Sequence, residues 1–272
     1  MLINGKQTDQ LSALDRGIQY GDGLFETIAV IDGQLSLWER HVQRLLSGCK
    51  RLGITAPEPA GLLAEAKTLV SHLQRAVLKI VVTRGVGGRG YRPSKDAQPS
   101  RVLYCTPWPD YPEGCWKKGI AMRLCATGLG INPALAQLKH LNRLEQVVAR
   151  SEWSDPAIFE GLMLDSDGRA IEGTMSNLFL IKKGLLITPD LQRCGIAGIM
   201  RGLIIELATK LNIPLLIEDV SLDDVKSADA LFISNSLIGI LPVRVFSGQS
   251  YRLEPIPPAL IQAVDRQMSG HS

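Results

Sequence analysis

What the sequence is short of narrows its function before any motif is read. The five cysteines, Cys49, Cys105, Cys115, Cys125 and Cys194, are odd in number, scattered and without a C-x-x-C pair. That argues against a zinc or dithiol redox site and for reduced thiols. No apolar run approaches the length needed to span a bilayer, and the opening MLINGKQTDQ has neither a basic-then-apolar leader nor an arginine-rich amphipathic pattern. An excess of one charge sign is missing too. The chain carries 30 Lys and Arg against 27 Asp and Glu, and the net +3 is too small to argue for a nucleic acid or a membrane surface as partner. There is no internal repeat and no low-complexity segment. The expectation is a cytoplasmic protein with no metal, no nucleic-acid partner and no membrane partner. What is plentiful is apolar: 45% hydrophobic content over 272 residues supplies core for one large domain or two smaller ones.

The first third mixes short strand patterns (2–4, 26–31, 34–37, 77–83 and 101–106) with helical spacing at 39–52, through Val42, Leu45 and Leu46, and at 59–73. Asp32-Gly33 marks a hairpin turn. Pro107, Pro109 and Pro112 with Gly114 then interrupt regular structure. The expected organisation is a smaller N-terminal α/β domain over residues 1–110, a linker over 111–118 and a larger domain over 119–272. In the second domain, strand patterns at 120–126, 157–165, 177–181 and 185–188 alternate with helices after Asn142, Gly198 and Ser221, and 257–268 closes as a helix. Tight turns at Asp167-Gly168 and Lys183-Gly184 imply mostly antiparallel pairing, so the fold class is α/β of the α+β kind rather than a doubly wound sheet.

Four segments carry candidate chemistry. Lys139, in Leu138-Lys139-His140-Leu141-Asn142-Arg143-Leu144-Glu145-Gln146, lies between an apolar run and a helix start. Asn142 reads as the N-cap, Glu145 as its capping-box partner, and Leu144, Val147 and Val148 as the helix's apolar face. The helix field and partial burial disfavour a protonated ammonium, and a neutral amine is what attack on a carbonyl needs; the alternative is a solvated loop lysine. Arg84-Gly85-Val86-Gly87-Gly88-Arg89-Gly90-Tyr91 contains a formal G-x-G-x-x-G after a strand, but residues 91–99, with Pro93 and Pro99, cannot open the helix that a dinucleotide site needs. It reads as a surface loop or as a mobile active-site loop with Arg84, Arg89 and Tyr91 available to an anion. Gly195-Ile196-Ala197-Gly198 precedes a helix whose first amides, Ile199 and Met200, suit a phosphate, although many helices begin after glycine. Glu172, in an otherwise apolar strand, is either an exposed strand edge or a carboxylate for a basic ring nitrogen.

Together these segments, with Asp15-Arg16-Gly17-Ile18-Gln19-Tyr20-Gly21-Asp22-Gly23-Leu24-Phe25-Glu26-Thr27 and Glu39-Arg40-His41-Val42-Gln43-Arg44-Leu45, closely resemble the fold-type IV enzymes that use pyridoxal 5′-phosphate. The resemblance covers nearly the whole chain, in the family's order and spacing. It implies a two-domain fold, a homodimer, Lys139 joined to the cofactor as a Schiff base, and Glu172 on the pyridine nitrogen. Arg44, the Ile199 and Met200 amides and Ser236 would hold the phosphate. Within the group, the pairing of Gly87-Gly88-Arg89-Gly90-Tyr91 with the Lys139 segment resembles the aminodeoxychorismate lyases. That implies conversion of 4-amino-4-deoxychorismate to 4-aminobenzoate and pyruvate for folate synthesis, with Lys139 as general base. Arg89 and Tyr91 are the candidates for the substrate carboxylates, and Tyr20 and Thr27 for the pocket lining. The rival on the same fold is a D-amino-acid or branched-chain aminotransferase; a rival of another kind is a noncatalytic cofactor carrier.

Overall fold

Nine consecutive residues with the burial alternation of a central strand, Gly23–Ile31, anchor the first of two structural units in the computed structural model. The structure describes residues 1–94 and 96–269. Lys95, in the run expected not to open a helix, and residues 270–272, at the end of the expected second domain, lie outside the described residues. The first unit comprises Met1–Pro109 and Leu138–Asn142; the second comprises Asp110–Gln137 and Arg143–Ser272.

In the first unit the order is β1 (Leu2–Ile3), β2 (Lys6–Gln7), α1 (Arg16–Tyr20), β3 (Gly23–Ile31), β4 (Gln34–Leu35), α2 (Trp38–Leu52), α3 (Pro59–Val70), β5 (Arg75–Thr83) and β6 (Ser100–Pro107). The strands form one sheet, β2-β1-β6-β5-β3-β4, paired antiparallel throughout. Asp32 and Gly33, with φ of 48° and 72°, turn β3 into β4; two successive positive φ values match the right-handed strand twist. Along β3 the side chains of Leu24, Glu26, Ile28 and Val30 share one face, and α2 packs there. The approach is close enough that a Cβ on Gly48 of α2 would stand 2.8 Å from Leu24 Cδ1.

The second unit runs α4 (Cys115–Lys118), β7 (Ile120–Leu124), α5 (Leu144–Arg150), β8 (Ile158–Leu164), β9 (Arg169–Gly173), β10 (Asn177–Lys182), β11 (Leu185–Pro189) and α6 (Ile199–Lys210). It continues with β12 (Leu215–Glu218), β13 (Val220–Ser221), α7 (Leu222–Lys226), β14 (Ala230–Asn235), β15 (Gly239–Phe246), β16 (Gln249–Ser250) and α8 (Pro258–Met268). Its ten-stranded sheet has the order β12-β11-β10-β14-β15-β7-β8-β9-β13, with β16 on β15. The pairs β11–β12, β7–β15 and β7–β8 are parallel and the others antiparallel. Ser221 caps α7 through a capping box with Asp224. Among the described residues no helix is long and apolar enough to cross a membrane.

The start of α5 differs from its sequence reading. The cap position is Arg143, whose side chain makes no capping hydrogen bond to the helix, and the Asn142 amide instead donates to Gly21 O at 3.1 Å. Glu145 accepts from Gly130 N at 2.9 Å, so no capping box forms. Nor is the apolar stripe turned inward: Leu144, Val147 and Val148 are 76%, 56% and 54% exposed, while Gln146 and Ala149 are buried. The strands β12, β14 and β15 also escaped the sequence pattern. Pro242 sits within β15 opposite Phe232.

In the sheet of the second unit the cross-strand pair Phe179 and Phe232 are both fully buried and stacked at 4.8 Å with planes 7° apart. Replacing Phe179 by Ala removes that stack and leaves a cavity that neighbouring strands cannot fill. The expected loss, read from urea unfolding midpoints, is about 3–5 kcal/mol.

Candidate functional site

Lys139 is held as an extended residue beside the start of β3. Phe25 N donates to Lys139 O and Leu141 N donates to Gly23 O, each at 3.0 Å, and Leu24 and His140 form an isolated antiparallel bridge. The backbone is thereby fixed on both sides of the lysine. Its Nζ lies 4.2 Å from the Phe25 ring centroid, so the aromatic face walls the amine. Leu24, Phe25, Glu26, Arg44, Leu138 and Lys139 line one small pocket of this unit. The structure thus brings together Lys139 and Arg44, the residues expected at the cofactor's aldehyde and at its phosphate.

Arg44 owes its orientation to a carboxylate that the sequence reading did not assign. His41 and Arg44, three residues apart on α2, face Glu26 on β3. Arg44 donates through Nε to Glu26 Oε1 at 2.8 Å and through Nη2 to Oε2 at 2.5 Å, while His41 Nδ1 lies 2.6 Å from Oε2. Burial would raise the Glu26 carboxyl, but the charge of Arg44 and the His41 hydrogen bond bring it down to about 2. Burial also lowers His41, against the pull of Glu26, so the imidazole is neutral near pH 7 with the proton on Nδ1. The signal for Glu26 was available: a charge stands in phase with Leu24, Ile28 and Val30 on the buried face of an apolar strand.

In the second unit Glu172 is buried at 3% exposure, which removes the strand-edge alternative. Its Oε2 accepts from Ile196 N at 2.8 Å and from Asn177 Nδ2 at 3.4 Å, and Asn177 also donates to Ile196 O at 2.9 Å. Asn177 therefore ties the carboxyl to the segment that leads into α6. A Cβ on Gly198 would fall 1.9 Å from Asn177 Oδ1, so glycine is demanded by this packing. The helix α6 opens on Gly198 with no side-chain cap, which leaves the Ile199 and Met200 amides without a side-chain acceptor. Arg201, one residue further on, is committed to Thr188 Oγ1 and Pro189 O.

Ser236 lies in the turn between β14 and β15, half buried. Asn235 shapes that turn, accepting from Leu237 N and Ile238 N, and its amide reaches Met175 O at 3.2 Å. The loop holding Met175 is in turn organised by Glu160, another carboxylate that the sequence reading passed over. Fully buried, Glu160 accepts from the backbone N–H groups of Gly161, Thr174 and Met175 and from the hydroxyls of Thr174 and Ser176. Burial still pushes its carboxyl up despite those donors.

Of the substrate candidates, Tyr20 and Tyr91 meet edge to face at 5.6 Å, with Tyr91 86% exposed, and Arg89 is exposed on the same glycine-rich loop. Thr27 stands apart from them on β3, two residues beyond Phe25 on its face. Arg84 is committed to Asp22 and to the carbonyls of Leu52 and Gly53.

The Glu26 cluster makes the first unit sensitive to acid. A carboxyl held at about 2 stabilises the fold fully above its ordinary 4.5, and that contribution is lost as pH falls from 4.5 toward 2. His41, depressed below 6.5, adds a loss of the same sign that starts at higher pH, whereas Glu160 acts in the opposite sense. Glu26→Gln is therefore expected to lower stability near pH 7 and to flatten its fall between 4.5 and 2, as measured by chemical denaturation at each pH. A variant that keeps the wild-type slope over that window would exclude Glu26 as its source.

The description "Amino-transferase class IV" matches residues 23–246. The chain is 34% identical over 252 residues to an aminodeoxychorismate lyase of Vibrio harveyi, covering 93% of each. It is 33% identical to a putative branched-chain-amino-acid aminotransferase of Methanocaldococcus jannaschii, covering 91% of this chain and 88% of that one. Among solved structures, the 4-amino-4-deoxychorismate lyase of Pseudomonas aeruginosa superposes with a TM-score of 0.91 at 46% identity over 97% of both chains. The chain belongs to the class IV aminotransferase family.

Proposed function

We propose that this protein is a pyridoxal phosphate-dependent carbon–oxygen lyase that converts 4-amino-4-deoxychorismate to 4-aminobenzoate and pyruvate, a step toward folate. The observation that carries this reading is the likeness, over nearly the full length of both partners, to chains described as that lyase. The residues fit the cofactor: a lysine amine against an aromatic wall, an arginine fixed by a buried carboxylate, an uncapped helix start and a buried glutamate.

Bound to these residues, the cofactor supplies an electron sink that acidifies the carbon bearing the substrate's nitrogen. Lys139 Nζ, against the Phe25 ring, would be the amine that holds the cofactor. The same Nζ would act as the general base toward the proton on the substrate carbon that bears nitrogen, and as the acid that returns a proton to the departing pyruvate. Glu172, its carboxyl fixed by Ile196 N–H and Asn177, orients the ring nitrogen. Arg44, the Ile199 and Met200 amides and Ser236 bind the phosphate, where fixed positive charge and a helix N-terminus both favour an anion. Arg89 and Tyr91 bind the substrate carboxylates, and Tyr20 and Thr27 line the substrate pocket. The protein works in the cytoplasm as a homodimer, and the exposed Leu144, Val147 and Val148 offer a second copy an apolar surface.

An aminotransferase on the same fold is the second reading, favoured by the likeness to the archaeal aminotransferase. Two measurements separate the possibilities. Purified protein is expected to be yellow and to lose that absorbance in Lys139→Ala; an unchanged spectrum would remove the lysine from its role. Supplied with 4-amino-4-deoxychorismate and no 2-oxo acid, the enzyme is expected to release 4-aminobenzoate and pyruvate in equal amounts. Conversion of the cofactor to its amine form by D-alanine or a branched-chain amino acid, without those products, would establish the transaminase instead.

A further inference from the structure

The glycine-rich segment after β5 carries Arg89 and Tyr91. Its exposed members bury little, and Gly88 has no atom near enough to restrict a side chain there. A stretch this rich in glycine does not choose a conformation by itself. Something outside it must set where Arg89 and Tyr91 stand.

The structure points to Arg16. This residue is 3% exposed, an uncommon state for arginine, and its guanidinium serves three separate acceptors. Nε donates to Asp22 Oδ2 at 2.9 Å, Nη1 to Gly90 O at 2.9 Å and Nη2 to Tyr91 O at 3.0 Å. The Tyr20 ring stacks on it at 4.7 Å, and the Tyr20 hydroxyl accepts from Gly90 N at 3.3 Å. Both backbone groups of Gly90 are thus held from α1. Gly90 has a φ of 94°, which a side chain would strain.

The anchor itself is rigid. Asp15 accepts from Gly17 N through Oδ1 and from Thr83 Oγ1 through Oδ2, Arg16 N donates to Gly85 O, and Asp15 bridges Val86. A Cβ on Gly17 would lie 2.3 Å from Thr83 Cγ2, so α1 is seated directly on the end of β5. Burial would raise the Asp22 carboxyl, but Arg84 and Arg16 together hold it below its usual range, and Asp22 in turn fixes Nε of Arg16. A Cβ on Gly87 would lie 2.6 Å from Arg16 Cδ, so the loop folds over the arginine stem.

We propose that Arg16 is a positioning residue for substrate selection: it clamps the Gly90 and Tyr91 carbonyls and so presents Arg89 and Tyr91 to a substrate bearing carboxylates. This rests on the reading of Arg89 and Tyr91 as the carboxylate contacts. A lysine offers one compact point charge in place of a planar fork and does not span the three acceptors.

The test compares Arg16→Met, Arg16→Lys and Arg89→Ala, alone and with Arg16→Met combined with Arg89→Ala, in the cofactor-loaded enzyme. Amide hydrogen exchange of residues 87–91 is expected to quicken by about tenfold in Arg16→Met while exchange of β3 and β5 stays unchanged. KM for 4-amino-4-deoxychorismate is expected to rise about tenfold with kcat within about twofold and cofactor absorbance retained, and to rise by a smaller factor when Arg16→Met is added to Arg89→Ala, because only Tyr91 then remains to be placed. Exchange of residues 87–91 at the wild-type rate overturns the clamp. So does a KM effect that simply adds to that of Arg89→Ala. If Arg16→Met does not fold, Arg16→Lys is judged by the same exchange and kinetic criteria. An unchanged KM in Arg89→Ala alone defeats the carboxylate reading, and with it the substrate half of this proposal. The exchange data, which need no turnover, then show separately whether the clamp exists.

Discussion

A buried carboxylate, Glu26, is the constraint on which the first unit's site depends. It sits on the sheet face that α2 must cover, where an unpaired charge would be prohibitive. Covering it therefore requires donors, and α2 brings two, His41 and Arg44, at a spacing that puts both on one helical face. The consequence runs outward. Arg44 is given one orientation, Gly48 lets the helix approach, and the strand that carries Glu26 also carries Phe25 and the backbone groups that hold Lys139. Folding the sheet and orienting the cationic side chain are one event here, because the same carboxylate takes part in both.

The second unit repeats the device with different donors. Glu160 is satisfied by a loop that wraps its carboxyl, and Glu172 by an amide and an asparagine. In each case the acidic group organises the backbone around it. Gly173 and Gly198 are where a side chain would collide with the resulting packing, against Ser176 Oγ and Asn177 Oδ1 respectively. The result is a set of short loops fixed by buried polar contacts, each tied to a strand end. Such networks specify one arrangement because a partly satisfied one is costly.

Local pattern made much of the fold legible. The strand patterns of β3 and β5, the apolar spacing of α2 and the helix that follows Ser221 are decided within a few residues, so a sequence displays them. The candidate chemistry at Lys139, Arg44 and Glu172 was visible for a different reason, as several motifs in a family's order. What was not legible depends on distant partners. Asn142 is a reasonable helix cap until Gly21, far off in sequence, claims its amide. The apolar residues of α5 look like a core face until the seven-residue helix turns Gln146 and Ala149 inward instead. Glu26 and Glu160 did leave a trace, a charge in the buried phase of a strand, and that trace is the one to look for in chains of this kind.

The first unit is assembled from two stretches of chain, since Leu138–Asn142 belongs with residues 1–109. A nascent polypeptide emerging from the ribosome therefore cannot complete this unit when its own sheet has been synthesised. The segment bearing Lys139 arrives only after residues 110–137, the opening stretch of the next unit, have left the exit tunnel. Synthesis thus delays the pairing of Phe25 with Lys139, and the sheet must persist with that edge of β3 unfilled until translation catches up.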